Sequence, residues 1–192
     1  MFRFGREEDK KIIREHKACV KTTVMLSVAF VESLINELFS DCADIPKSET
    51  LGQGLDIKVM GALWSANYLS KMSILDKYTL ALKLNNKTPF DKGRSPWQGM
   101  SSLIDLRNEL VHYKPETINY DGEDVHRVEK LLKGKFAENP HFGEGNPFYP
   151  DRIFGAGCAR WSVETAVKFT DDFYARLGFE PRYQFIREEY GV

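Results

Sequence analysis

Residues 17–41 read KACVKTTVMLSVAFVESLINELFSD, and the spacing of apolar side chains in that stretch decides the fold class. Val20, Val24, Val28, Val31, Ile35 and Leu38 recur at intervals of three and four, the repeat of one helix face rather than the alternation of a strand. The pattern predicts one long opening helix from Arg6 to about Asp41. It runs into DCADIP, where the residue before Pro46 is pushed away from helical geometry, and residues 47–54 read as a loop.

Outward from that helix, Leu55 to Asn85 carries two shorter helical patterns, one with Ile57, Met60, Leu63 and Trp64, the next with Ile74, Leu75, Tyr78, Leu80 and Leu82. Their join falls near Ser70 or Ser73; Ser73 has Asp76 three residues on, the arrangement of a capped helix start. NNKTPFDKGRSP, residues 85–96, reads as a loop. Pro96 stands where a first helical turn begins, and the helix from Trp97 to Tyr113 must stop before Lys114-Pro115. A short helix near Asp124–Leu132 precedes GKFAENPHFGEGNPFYPD, a long segment of the kind that is either a binding element or mobile. A last helix over Ala156–Leu177 ends at Gly178, and the tail, residues 179–192, either packs or hangs free. With no repeat and no convincing strand pattern, the expected fold is all-α, a bundle of five or six helices in one domain over residues 1–192, its core about 6–178.

Composition narrows the class further. A chain of 192 residues, 42% hydrophobic and 29% charged, buries enough surface to fold without disulfides or a structural metal. Its net charge of -1 excludes a globally basic nucleic-acid coat, so any basic surface is local. Cys19, Cys42 and Cys158 are odd in number and far apart, which points to a reducing compartment. The charged start MFRFGREEDKK does not resemble a signal peptide, and no run of about 18 uninterrupted apolar residues occurs. The expectation is a soluble cytoplasmic protein.

Most chemical templates fail. GxxxxGK[ST], GxGxxG, HExxH and GxSxG are all absent. His16, His126 and His141 share no spacing that would pair them as metal ligands on one helix, and each reads as a solvated or locally bonded histidine. Asp171 and Asp172 are adjacent and so point about 100° apart, a solvated face rather than a carboxylate pair. No metal site and no cofactor is expected.

The helix from Trp97 to Tyr113 is different. With Leu103 at 0°, Met100, Leu106, Leu110, Val111 and Ile104 define an apolar face, and Arg107 falls at about 40°, in its middle. A charge buried there without a partner costs several kcal/mol, roughly, so something requires it. Either Arg107 pairs internally with a carboxylate such as Glu32 or Glu37, or it faces a cleft or subunit interface and grips an anion. Asn108 and His112, four apart, form a polar ridge at the edge of the face. His112 sits in the last turn, where the helix dipole favours an imidazolium suited to general acid chemistry.

Arg107-Asn108-Glu109-Leu110-Val111-His112 resembles the motif of the HEPN superfamily, an Arg, a polar residue and a His four to six residues on. The long first helix with AFVESLINELF and the closing helix ARWSVETAVKFTDDFYARLG resemble the family setting over most of residues 10–178. The resemblance implies a small helical bundle, a homodimer with both motif helices lining one cleft, and metal-independent endoribonuclease activity of the toxin or defence type. It also implies a catalytic set of Arg107, Asn108 and His112, and a possible antitoxin or nucleotidyltransferase partner. RNA would be cut by 2'-hydroxyl attack, with Arg107 stabilising the charged phosphorane, His112 moving protons and Asn108 orienting, to leave 2',3'-cyclic phosphate and 5'-hydroxyl ends. Arg107 and His112 stand about 140° apart on one helix, and a twofold interface lets each chain complete a shared site. Lys92, Arg94 and Lys114 are candidates for a positive rim that holds phosphates. The alternative from another class is a non-catalytic helical dimerisation or binding module, for nucleic acid or a protein partner.

Overall fold

The structure, a computed structural model, describes residues 7–44, 56–112, 126–181 and 183–190, with nothing described of the Arg187 and Tyr190 side chains. Among the described residues there are seven α-helices, against the five or six expected: α1 Glu7–Ala43, α2 Ile57–Ser65, α3 Ile74–Leu84, α4 Trp97–Val111, α5 Arg127–Leu132, α6 Ala156–Leu177 and α7 Gln184–Tyr190. A π-type turn, Phe148–Arg152, lies between α5 and α6, and no strand occurs among the described residues. The fold is all-α, with α1, α2, α3, α4 and α6 at the expected places. The expected loop over residues 47–54 lies outside the described residues, as does the expected helix start at Asp124; α5 begins at Arg127.

The chain divides into two compact units, one of Met1–Val28 with Gly99–Ala166, the other of Ala29–Gln98 with Val167–Val192. The second unit is built on aromatic packing. Tyr78 is fully buried, donates its hydroxyl to the Val31 carbonyl at 2.8 Å and meets Phe169 and Phe173 edge-on at 4.9 and 4.5 Å. Edge-to-face rings align the positive rim of one with the negative face of the next. Ser73 caps α3 as its spacing predicts: its oxygen accepts from the Asp76 N–H at 3.2 Å and its hydroxyl donates to the Asp76 carboxylate at 2.6 Å. Asn85 closes α3, donating to Ala81 O and accepting the Asp56 N–H ahead of α2. The tail is tied down at Tyr183, whose hydroxyl contacts Thr170 at 2.8 Å and donates to Asp171 at 2.7 Å, while Phe185 and Ile186 beyond it are exposed.

In the first unit Val20, Val24 and Val28 of α1 are buried, as are Met100, Leu103 and Leu106 of α4, Val128 and Leu132 of α5, and Phe148, Ile153, Phe154 and Cys158. The Gly- and Pro-rich segment after α5 is anchored rather than loose. Asn139, 1% exposed, donates to the Phe154 carbonyl at 2.8 Å and accepts the His141 N–H at 3.1 Å, while its own N–H donates to Arg152 O at 2.7 Å. Opposite it, Gly155 and Gly157 let two backbones approach so closely that a Cβ on Gly155 would lie 2.8 Å from the Asn139 Cα, and one on Gly157 would strike the Ala137 carbonyl. Lys17 reaches the same segment, bonded to Asp151 at 2.7 Å and lying over the Phe142 ring at 4.1 Å.

By length and composition α1 alone among the described residues is apolar enough to cross a membrane, and less than half of its most apolar window is buried. Its Val20-to-Leu38 stripe is core, while Ile12, Met25 and Leu26 remain exposed.

Candidate functional site

Helix α4 carries Arg107 and Asn108 on its last turns, and His112 follows directly on its end. Leu103 and Leu106 are wholly buried, and that packing fixes which faces of α4 are left for polar groups. Arg107 and Asn108 are half-buried and His112 is exposed just past the helix end. Arg107, expected in the middle of an apolar face, stands less deep than that: Val111, one turn on along the same flank, is 47% exposed, so the face leaves the core at its final turn. The arginine is engaged in a polar or electrostatic contact. The His112 N–H donates to the Asn108 carbonyl at 2.8 Å, which holds both residues in one helical turn. Their side chains make no hydrogen bond to each other among the described residues, and Arg107 and His112 diverge by about 140° around the axis.

Beside this ridge, α4 presents a stripe of Ser102, Asp105 and Glu109 to α5 and the turn that follows it. The Lys135 ammonium donates to Ser102 Oγ at 3.3 Å, Arg127 donates to Asp105 at 3.2 Å, and His126 Nε2 lies 3.9 Å from Glu109 Oε1. The pairings run in opposite directions along α4 and along residues 126–135, so the two segments pass antiparallel. His126 is also the N-cap of α5, its Nδ1 accepting the Val128 N–H at 3.1 Å, and its ring stacks on Tyr149 at 4.5 Å with 15° between planes. Arg127, Lys130, Lys133 and Lys135 are exposed along this edge, with Lys133 paired to Glu129 at 2.7 Å.

Lys92 and Arg94 belong to the second unit, where Lys92 lies over the Trp97 ring at 5.5 Å and Arg94 pairs with Asp91 at 3.4 Å. Lys114 lies outside the described residues. Sequence reasoning passed over two groupings that only the fold creates. One is Glu109, His126 and Tyr149, from α4, the start of α5 and the π-type turn. The other is His16 with His141, ring centroids 6.2 Å apart, the His16 Nδ1 buried without a hydrogen-bond partner. Neither has a short-range spacing signal; a conspicuous FYP next to a Gly-rich stretch was the only hint at Tyr149.

Comparison with known proteins adds no family. No protein family, curated protein or solved structure matches this chain. Among the described residues no three His, Cys, Asp or Glu side chains gather as a metal site.

What the α4 ridge offers chemically is an always-charged planar donor, a neutral amide and a solvent-facing imidazole within two helical turns. That set suits an anion with a proton to be moved beside it, the requirements of phosphodiester chemistry.

Proposed function

We propose that the chain is a metal-independent endoribonuclease of the HEPN type, acting in the cytoplasm as a homodimer in which the motif helices α4 of two copies share one cleft. The observation that carries the reading is the motif RNELVH at the end of α4, with Arg107 and Asn108 half-buried and His112 facing solvent. Half-burial strengthens the field of the guanidinium on a phosphate, while an exposed imidazole exchanges protons readily with substrate and water. The RNA 2'-oxygen attacks phosphorus and its proton passes to a base. The P–O5' bond breaks and the leaving oxygen takes a proton, giving a 2',3'-cyclic phosphate and a 5'-hydroxyl. Arg107 meets the charge on the non-bridging oxygens, His112 carries protons, and Asn108 orients. Lys114, two residues after His112 in the chain, supplies a phosphate contact, and an antitoxin or nucleotidyltransferase restrains the activity.

The test is cleavage of single-stranded and transfer RNA in excess EDTA by the protein and by His112→Ala. A loss of about 10²- to 10⁴-fold in the variant is expected for removal of a proton-transfer group. Sharing of the site between copies is tested by mixing Arg107→Ala with His112→Ala, since mixed dimers regain one intact site.

A second reading, a non-catalytic binding module, draws on the outer face of α1, where Ile12, Met25 and Leu26 stand 58%, 38% and 63% exposed. Equal inactivity of the protein and His112→Ala on every RNA offered would favour it.

A further inference from the structure

We propose that His126 is a positioning residue for His112, and that the segment after α5 serves the α4 site by holding His126 in place. The inference rests on His112 acting as the proton carrier. His112 stands just past the end of α4, where helices fray, and its side chain is exposed, so among the described residues no packing sets its direction. Glu109 stands three residues earlier, on a neighbouring flank of the same turn. It is 18% exposed at its side chain and His126 19%, the two facing each other at 3.9 Å, an electrostatic contact rather than a hydrogen bond.

The two nitrogens of His126 face different partners: Nδ1 accepts the Val128 N–H at 3.1 Å, and Nε2 is turned toward the Glu109 carboxylate. The ring stacks on Tyr149, 6% exposed, which belongs to the segment that Asn139 anchors. His126 thus joins α5, the π-type turn and the last turn of α4, and Arg127–Asp105 repeats the link one turn back along α4. With Nδ1 held by the Val128 N–H and Nε2 turned toward Glu109, His126 acts through the helix end on which His112 stands.

The experiment compares the protein with His126→Phe, His126→Asn and Glu109→Gln. Phenylalanine keeps the stack and loses both polar contacts; asparagine can cap α5 and donate. Amide exchange at Leu110, Val111 and His112 is measured together with kcat and KM for single-stranded RNA. In His126→Phe these amides exchange about tenfold faster and kcat falls about tenfold with KM within about twofold, the signature of a misplaced group. His126→Asn recovers most of both effects, and Glu109→Gln, which removes a charge without changing shape, moves both in the same direction by about threefold. Unchanged exchange and kcat in a folded His126→Phe or Glu109→Gln overturns the proposal, as does a loss confined to KM, which would make His126 an RNA contact. If the unaltered protein cleaves no RNA, the ribonuclease reading fails, and amide exchange alone decides whether His126 holds the end of α4.

Discussion

Asn139 offers the sharpest test of how the segment between α5 and α6 is held. Its side chain satisfies two backbone groups, the Phe154 carbonyl at 2.8 Å and the His141 N–H at 3.1 Å, and is almost wholly buried. In Asn139→Ala the His141 N–H, on an exposed residue, can turn to water, whereas the carbonyl of Phe154, a residue with no exposure, loses its donor. An orphaned buried acceptor costs about 1–3 kcal/mol. The small cavity left by the amide adds to that, so the variant loses about 2–3 kcal/mol, or about 5–10 °C in Tm for a chain of this length. Asn139→Asp adds a sign test. At neutral pH its carboxylate would face the Phe154 carbonyl, so its folded-state pKa rises above the unfolded value and the native state binds more protons. Its deficit against the unaltered protein therefore shrinks as pH falls toward the acid form, which can donate a hydrogen bond. Urea melts at pH 5 and pH 7.5 measure both effects. A folded Asn139→Ala within 0.5 kcal/mol of the parent, about the scatter of ordinary surface substitutions, refutes the anchoring.

Other consequences follow from single contacts. Gly157→Ala drives a methyl into the Ala137 carbonyl and lowers stability by about 2 kcal/mol or more, whereas Gly143→Ala, with nothing within 4 Å of the added carbon, stays within about 0.5 kcal/mol; thermal melts separate them. Thiol titration of the native protein finds one reactive cysteine, the exposed Cys19. Burial pushes Cys42 up to about 11 and Cys158 up to about 12, so raising the pH to about 9 recruits neither until the chain is unfolded. Arg107→Lys keeps the charge but loses the planar fork, and RNA cleavage falls by about tenfold or more while the fold, read by circular dichroism, is kept.

How much of this was readable in advance follows the range of the interactions concerned. The α1 stripe, the Ser73–Asp76 cap and the stop at Gly178, where φ is +92°, are local signals, and each is where its spacing puts it. Arg107, Asn108 and His112 were legible as one ridge because a single helix carries them. The depth of Arg107 was not, because it depends on where the last turn of α4 leaves the core, which Val111 reveals only in three dimensions. The π-type turn at Phe148–Arg152 and the anchoring of Tyr183, just ahead of α7, rest on partners distant in the chain, and no periodicity announces them. His126 looked like a surface histidine for the same reason: Tyr149 is 23 positions away and Glu109 is 17, so the grouping exists only after folding.

The most direct test of the ribonuclease reading is the chemistry of the RNA ends left by the purified protein in excess EDTA. The account predicts 2',3'-cyclic phosphates opposite 5'-hydroxyls, absent when His112→Ala replaces the protein. Fragments with 3'-hydroxyl and 5'-phosphate ends, or cleavage that persists undiminished in His112→Ala, would contradict it.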